Sequence, residues 1–459
     1  DKIMSSHRYS NLDYSRCSRA GQLGHALVPL LFLGSLGTAQ AAELDPEVID
    51  GVDTATGLSA GNALLNTCLT GRNGDNQFQK DCNAIFSEPD PDVQANAVNQ
   101  VAADQVATQN AAATRQFKTN LSAIGGRLTQ IRLASGAEVF SDNASLVAAE
   151  QLRRDSGGGA SADAGFGRIG TFFNLKYRWG DEDQTNFQPG YDFDGWGAVA
   201  GLDYRFTDQA VGGIALNYMS DDVDYDSNRG DMSSTSWGLL GYGTWFLDSG
   251  LFFDGMLGYS WGDYDLKRNL IYNTGPQEVR QIARSDPDAN MFSFSVGVGY
   301  TIPTGGFSIT PIGRLNYIDN DVDGFTERMS DPNADGGAMA VSMDSNTYTS
   351  FTSRLGVEIS RAFSQSWGVV VPSLRFDWVH EFDNDQQQVP GRFIGDTETA
   401  DGTRFFVVTN KPDRDYFDLG LSVSSQFAEG RSAFLSYNAL VGFDDVTYNA
   451  INAGVRFEF

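Results

Sequence analysis

The sequence predicts an all-β fold for its C-terminal region, a 12-stranded antiparallel transmembrane β-barrel, with a preceding α-helical segment that threads or plugs the pore. Three observations lead to this prediction: strands in which apolar and polar residues alternate, connections that alternate between short and long, and a helix-forming stretch upstream of the strands. Alternation with a period of two gives each strand one apolar and one polar face. In an outer-membrane barrel the apolar face contacts lipid and the polar face lines the lumen.

The final stretch of the chain shows this alternation clearly. Five apolar residues share one face, and they are Ile451, Ala453, Val455, Phe457 and Phe459. Polar or small residues occupy the other face, namely Asn452, Gly454, Arg456 and Glu458. The same rule predicts twelve strands, near 167–180, 190–207, 209–224, 233–248, 250–266, 289–303, 306–320, 346–363, 366–382, 414–427, 431–442 and 447–459.

The predicted connections between strands alternate in length along the chain. One set consists of tight turns, at 207–208, 248–250, 303–306, 364–365 and 429–430. The other set is mostly long and acidic, at 181–190, 224–232, 267–288, 320–346 and 383–413, with a short member at 443–446. Short turns at one rim and long loops at the other are typical of outer-membrane barrels. A soluble sandwich has no reason to sort its loops in this way.

The chain before the barrel divides into four predicted segments. Residues 1–41 are predicted to be a secretory signal peptide, because basic residues precede a short apolar run and a small-x-small cleavage pattern. An uncleaved membrane anchor is the alternative, although the apolar run is too short to span a bilayer. Residues 42–91 form a short segment with a disulfide loop, and 92–155 form a helical linker or pore helix. A flexible Gly-rich linker, 156–165, then leads to the barrel at 166–459.

Two cysteines follow the predicted signal peptide. Cys68 and Cys82 are predicted to form one disulfide in an oxidising compartment, with two free thiols as the alternative. The stretch around them, 43–90, is predicted to be rich in loops because of turn-forming residues such as those at 71–75.

The composition from Asp92 to about Leu133 predicts one long helix, with no breaker before Gly125-Gly126. A helix of about 20 residues spans roughly 30 Å, which is enough to thread a barrel lumen. A stalk or coiled segment is the alternative. A weaker second helix is predicted at 143–154. The C-terminal half of the long helix carries four basic residues, Arg115, Lys118, Arg127 and Arg132.

Composition also restricts the possible chemistry. The formal net charge of -27 argues against a nucleic-acid partner, because phosphate binding needs clustered Lys and Arg. Too few His and Cys residues follow residue 41 for a zinc site, and no cofactor is predicted. Asp319–Gly324 begins like a calcium-binding loop, but the twelfth position is Ser330 instead of Glu. A divalent-ion site and a solvated acidic loop are the two interpretations of that stretch.

His380 is the one histidine after the predicted signal peptide. Its neighbours Asp377 and Glu381 suggest an acid/base dyad at the barrel rim. Alternation instead places His380 on the lipid face with Trp378, while the two carboxylates share the opposite face. We therefore predict no catalytic residues and no enzymatic activity.

Several motifs resemble the β-domain of autotransporters, the family of type V secretion. They lie, in order, at 190–197, 201–206, 213–218, 259–268, 378–382 and Phe459. The resemblance implies a twelve-stranded barrel that the outer-membrane insertion machinery assembles, with Phe457 and Phe459 as the C-terminal insertion signal. It also implies a pore helix, which the stretch 119–132 resembles. The pore-helix residues are expected to be Arg115, Asn120, Arg127 and Arg132.

The sequence differs from the autotransporter pattern in two ways. The passenger, roughly 43–110, is short and has no β-helix repeats, and the helix has no Asn-Asn pair at which self-cleaving members cut. We therefore expect the helix to stay in the barrel as a plug.

The leading functional prediction is an autotransporter translocator that exports or displays its own short N-terminal passenger at the bacterial outer membrane. A plugged, porin-like structural barrel and a rim hydrolase using His380 are the alternatives. The expected partners are outer-membrane lipid and lipopolysaccharide, the general secretion pathway and the barrel insertion machinery. The barrel is expected to be a monomer.

Overall fold

A computed structural model of the chain describes residues 45–134, 168–397, 403–427 and 430–459. The predicted signal peptide, the weaker helix at 143–154 and the Gly-rich linker lie outside the described residues.

Twelve antiparallel strands form a closed barrel, as predicted. Each strand pairs with its neighbours in sequence, and the first strand also pairs with the last, from Gly170 opposite Glu458 to Glu182 opposite Val446. The strands are β1 Ile169–Glu182, β2 Tyr191–Thr207, β3 Ala210–Tyr225, β4 Gly230–Phe246, β5 Leu251–Asn273, β6 Asp288–Tyr300, β7 Phe307–Val322, β8 Asn346–Ser360, β9 Gly368–Glu381, β10 Asp415–Phe427, β11 Arg431–Val441 and β12 Val446–Glu458.

The two faces of the barrel wall differ in polarity, as the alternation predicts. On β1, Phe173, Leu175 and Tyr177 are exposed on the outside, whereas the polar residues between them are buried in the lumen. On β12 the outward residues are Ile451, Val455 and Phe457, together with the terminal Phe459. Such a continuous apolar exterior needs lipid as its solvent.

The connections are sorted between the two rims in the predicted way. At one end, here the short-turn rim, strands are joined through 208–209, 247–250, 301–306, 361–367 and 428–430. At the other end, the long-loop rim, the connections are 183–190, 226–229, 274–287, 323–345, 382–414 and 442–445.

The long connections contain secondary structure that the sequence analysis did not predict. Strand β5 continues beyond its predicted end at 266 and pairs with Glu278–Ser285, which in turn pairs with Arg328–Met329. Four short strands of the loops form a separate sheet, in the order Phe325–Thr326, Val341–Met343, Gln388–Phe393 and Arg404–Val408.

The calcium-like stretch is not a loop. Residues 319–322 continue strand β7, so their side chains point alternately to opposite faces. Asp319 accepts a hydrogen bond from the Tyr317 hydroxyl at 3.1 Å, and Asp321 accepts one from Thr347. Both interpretations of this stretch assumed a loop, and for residues 319–322 that assumption is wrong.

The region predicted to be loop-rich is helical, and that prediction is also wrong. Three short helices occupy it: α1 Pro46–Asp50, α2 Ala55–Thr70 and α3 Gln77–Phe86. Each begins at a capping side chain, for example Thr54, which accepts a hydrogen bond from the Gly57 amide at 3.0 Å. Helix α2 ends at Thr70 and is capped by Gly71, which has a φ of 59°.

The predicted long helix is broken into two. Helix α4 covers Pro91–Val101, and the next residue, Ala102, leaves the helical conformation with a ψ of 138°. A 3-10 turn, Asp104–Thr108, follows, and helix α5 covers Gln109–Ala134. Gly125-Gly126 does not interrupt α5. With 26 residues, α5 is about 39 Å long, more than the thickness of a bilayer core.

Residues 45–108, which we call the cap, form a core together with the strands of the long loops. Leu64, Phe78 and Ile85 are fully buried in this core against Phe393 and Phe405 of the loop sheet. Helix α4 also contributes to the core, through Ala97, Val98 and Val101.

The predicted disulfide is confirmed. It joins Cys68 of α2 to Cys82 of α3, with a Cα–Cα distance of 5.7 Å, and Cys82 lies in the cap core.

None of the helices in the described ranges is both long enough and apolar enough to cross a membrane.

Candidate functional site

Helix α5 lies inside the barrel and runs from one rim to the other. Near its first residue, the Gln109 carbonyl accepts a hydrogen bond from the Tyr264 hydroxyl, on the long-loop half of β5. Near its end, Arg132 is bound to Asp254, close to the short-turn rim. The N-terminal end of α5 is thus continuous with the cap, and the helix ends at the rim where β1 begins.

Basic residues of α5 meet carboxylates of the barrel wall at three levels. At the level nearest the long-loop rim, Arg115 lies 3.9 Å from Asp221 of β3. Asp221 also binds Arg178 of β1 at 2.5 Å. Two cations thus share one carboxylate there. The Arg115 guanidinium also lies over the Phe193 ring, 4.4 Å from its centroid.

The two lower levels use Arg127 and Arg132. Both Nε and Nη2 of Arg127 donate to Asp203 of β2, and the Tyr242 hydroxyl donates to the same carboxylate. Arg132 donates to both oxygens of Asp254 at 3.0 and 3.1 Å, and Arg314 of β7 donates to Asp254 at 3.2 Å. These side chains are all at least nine-tenths buried. Pairing with the opposite charge offsets the free-energy cost of burying these charged groups.

The structure places Asn120, the fourth predicted pore-helix residue, in the lumen with no exposed surface, and neither of its amide atoms forms a hydrogen bond within the described residues. The α5 backbone close by is held from β1, where the Asn174 side chain donates to the Ala123 carbonyl at 3.1 Å. Lys176 donates to the Ser122 hydroxyl at 3.0 Å.

The carboxylates on the wall were missed by the sequence analysis. Asp203, Asp221 and Asp254 occupy inward positions of their strands, where alternation requires a polar residue but does not select a charge. The sequence did contain one indication of them. The long helix carries basic residues, and acidic residues at inward positions of the strands can pair with those basic residues.

His380 lies outside the lumen. Its Nδ1 is 2.8 Å from Asp415 of β10, and the Trp378 indole donates to the same carboxylate. Asp377 and Glu381 point to the opposite face, as alternation predicts, and are buried. The structure therefore does not form the dyad considered from sequence.

In the part of the chain that the structure describes, no three His, Cys, Asp or Glu side chains are grouped as a metal site would require.

One buried ion pair and a second buried arginine join the cap to the long-loop rim. Asp104 accepts two hydrogen bonds from Arg229, at 3.0 and 3.1 Å. Arg268 of β5 binds Glu327 and also donates to the carbonyls of Gln100 and Val101 in the cap.

Residues 171–438, more than half of the chain, match the family described as the autotransporter β-domain. The chain belongs to the autotransporter family. Over 188 residues, or 39% of the chain, this autotransporter is 27% identical to the adhesin BmaC autotransporter of Brucella suis biovar 1 (strain 1330). That match corresponds to 5% of the length of BmaC, so the chain spans only a small part of this relative.

One solved structure shows the same fold. The translocator domain of the autotransporter NalP from Neisseria meningitidis superposes with a TM-score of 0.50 at 15% identity, covering 70% of this chain and 99% of that domain. The β-domain of the Bordetella autotransporter Brka gives a TM-score of 0.44 at 19% identity, covering 64% of this chain and all of that domain. The autotransporter barrel lies in the bacterial outer membrane. Barrels of this membrane have short turns toward the periplasm and long loops toward the outside.

Proposed function

We propose that this autotransporter barrel exports residues 45–108 and then keeps them at the cell surface as a folded cap. One observation carries the proposal: α5 passes through the lumen, with the cap at its outer end and the start of β1 at the rim where it finishes. The cap can reach that position only if the chain that contains it has crossed the barrel.

The contacts of the cap support retention over release. The Ser59 hydroxyl accepts a hydrogen bond from the Phe406 amide at 2.9 Å, and the Thr56 hydroxyl accepts one from the Val408 amide at 3.0 Å. Asn73 donates to Asp396 at 3.1 Å. The cap thus satisfies hydrogen-bonding groups of the external strands, so it would stay bound even if the chain between cap and barrel were cut.

A pair of epitope insertions tests this proposal. A short epitope between Gly74 and Asp75 lies in an exposed turn of the cap, and we expect antibody to label it on intact cells. The matched control is the same epitope between Asp208 and Gln209 at the short-turn rim, which we expect to be labelled only after the outer membrane is permeabilised. Labelling of the control but not of the cap insertion on intact cells would reverse the proposed orientation.

We further propose that the cap is a structural element without enzymatic activity, and that the barrel is a monomer which contacts outer-membrane lipid and lipopolysaccharide. The general secretion pathway would deliver the chain by means of residues 1–41. The insertion machinery would then recognise β12 through Phe457 and Phe459, which lie on its outward face. Changing both residues to Ala should lower the amount of barrel in isolated outer membranes, while total synthesis stays unchanged.

A further inference from the structure

A shallow groove of about 510 Å³ crosses the outer face of the barrel wall, mainly on strands β6–β9 and close to the short-turn rim. Gly313 of β7 lies at its floor, between Val298 of β6 and Leu355 of β8 in the strand register. A Cβ atom added at Gly313 would meet only the Leu355 side chain, at 3.6 Å. The walls are side chains on the outer face, Val298, Tyr300, Leu355, Val357 and Phe376. No charged residue lines the groove.

Arg361 lies on the same outer face, at the short-turn rim below the groove. The pairing of β7 with β8 ends at Ser308 opposite Ser360, so the next positions, Phe307 and Arg361, face each other across the two strands. The Arg361 guanidinium lies 5.0 Å from the ring centroid of Phe307 and 5.2 Å from that of Phe363. Both rings are exposed on the outside of the barrel. Aromatic residues at a barrel rim mark the level of the lipid headgroups.

No carboxylate offsets the charge of Arg361. Among the described residues, none forms an ion pair with its guanidinium. The two connections that border it, 301–306 and 361–367, contain no acidic residue, whereas each of the other three short turns contains one, Asp208, Asp248 and Glu429. In a chain with a formal net charge of -27, this part of the rim is therefore locally positive. Because Arg361 is exposed, an anion can reach it.

The distance between Arg361 and the groove suits a phospholipid. Arg361 and Val357 are four positions apart, which is about 13 Å at the rise of an extended strand. Half of a bilayer core is about 15 Å thick, so a lipid with its phosphate at Arg361 has its acyl chains at the level of the groove. Thr304, which pairs with Phe307 on the other side, adds an exposed hydroxyl at the headgroup level.

We propose that this surface binds an anionic glycerophospholipid of the leaflet at the short-turn rim, with its phosphate on Arg361 and one acyl chain in the groove over Gly313. This assignment rests on the proposed contact of the barrel with outer-membrane lipid, and it adds the headgroup charge and the place. A second copy of the chain fits less well, because a two-fold contact through this surface would bring two Arg361 side chains together without an anion. Lipopolysaccharide occupies the leaflet at the opposite rim.

Native mass spectrometry of the full-length protein, released from a non-ionic detergent, tests the proposal. We expect the first molecule of dioleoyl phosphatidylglycerol to bind about fivefold more tightly than dioleoyl phosphatidylcholine, which has the same acyl chains and no net charge. Equal affinities would overturn the proposal. A dimer that excludes lipid would assign the groove to a second copy, and tighter binding of lipid A would assign it to lipopolysaccharide. Insertion into liposomes, measured in parallel, tests the general contact with lipid, so the two can fail separately.

One pair of variants tests the headgroup site. Arg361→Gln should remove the fivefold preference for phosphatidylglycerol, because the uncompensated charge is lost. Arg280→Gln makes the same change in net charge at an exposed ion pair with Glu278 in a long connection, and it should keep the preference. Heat-modifiable migration on gels shows that both barrels are folded. A preference that survives in Arg361→Gln would contradict the assignment.

A second pair of variants tests the groove. Gly313→Leu fills the floor and should weaken the binding of both lipids roughly threefold, since the acyl chain loses its contacts there, while the preference for the anionic lipid remains. Gly241→Leu makes the same change on the outer face of β4, where an added Cβ has no neighbour within 4 Å, and it should bind as wild type does. Wild-type affinity in Gly313→Leu would contradict the placement of the chain.

Discussion

The two ends of helix α5 are held in different ways. Its periplasmic half is fixed inside the lumen by buried ion pairs, Arg127 with Asp203 and Arg132 with Asp254. Its outer end continues into the cap, which is held by an apolar core and a disulfide outside the barrel. Apolar packing contributes at both ends, because α5 residues such as Ile124, Leu128 and Ile131 also pack inside the lumen against apolar side chains of the barrel wall. What distinguishes the periplasmic half is that buried charge pairing is added to this packing.

This difference predicts different consequences of mutation. A buried ion pair contributes little compared with an apolar contact of the same volume, but removing one partner leaves an uncompensated charge. A lost apolar side chain instead leaves a cavity whose effect stays local. Changes at the periplasmic end should therefore affect closure of the lumen, and changes at the outer end should affect the cap alone.

The largest effect is expected from Asp203→Asn. It leaves the fully buried Arg127 without its anion and should weaken the docking of α5 by about 3–5 kcal/mol. Planar-bilayer recordings should show open events that the wild-type protein rarely gives. Asp208→Asn, in the exposed turn close by, is the control and should behave as wild type. A closed Asp203→Asn channel would mean that ion pairing does not hold the plug.

In the cap, Phe78→Ala should remove about 3–5 kcal/mol of stability, because its ring is 1% exposed and packs against Phe393. Protease added to intact cells should then cleave the cap faster. The conductance should stay as in wild type, since α5 keeps its own contacts. An open channel in this variant would show that the two ends are not independent.

Replacing Cys68 and Cys82 together with Ser should cost about 3 kcal/mol of cap stability, the value expected for a loop of this length. Hydrogen exchange of α2 and α3 in the purified protein measures this loss. Reduction of the wild-type protein should reproduce it, whereas the reductant should not alter exchange in the double variant.

A smaller effect is expected from pH. Burial raises the pKa of the Asp81 carboxyl above its ordinary value of 3.8, against hydrogen bonds from Gln77, Gln277 and the Ala338 amide. The folded cap then holds this proton more tightly than the unfolded chain does. The stabilisation is complete below pH 3.8 and is lost as the pH rises through the raised pKa.

Hydrogen exchange of α3 between pH 4 and pH 7 measures this dependence, after correction for the intrinsic exchange rate. Asp81→Asn should flatten it, and Asp75→Asn, in an exposed turn, should not. An unchanged pH dependence in Asp81→Asn would assign the effect to another group.

The smallest effect is expected from His380→Ala. His380 and Asp415 pair on the outer surface, away from both ends of α5. We expect no measurable change in conductance, in cap protection or in heat-modifiable migration. A change in any of these would give His380 a role in the lumen that its position does not explain.

The barrel could be predicted from sequence because alternation is a local property. The alternation within each strand shows which of its faces contacts lipid, as in 447–459. The lengths of the connections show which rim each one lies at. Sequence also indicated the basic residues of α5. It did not reveal their partners, because an inward Asp on a strand looks the same whether it meets a helix or water.

The sequence analysis predicted loops where the cap forms helices, and the reason for this error is physical. Its helices are short and contain Gly, Thr and Asn, so their own propensity is low. Their stability comes from packing against loop strands such as 388–393 and 404–408, far away in sequence. The break at Ala102 likewise has no Gly or Pro to mark it in the sequence.

The pairing of β1 with β12 has a topological consequence. A ring of strands with no open edge encloses α5, so the helix has no sideways exit and can move only along the barrel axis. Movement of α5 toward the periplasm would pull the cap into the lumen, and the cap would first have to unfold. The crosslinked loop between Cys68 and Cys82 would then have to enter as a doubled chain, so oxidation of these thiols restricts retraction as well as unfolding.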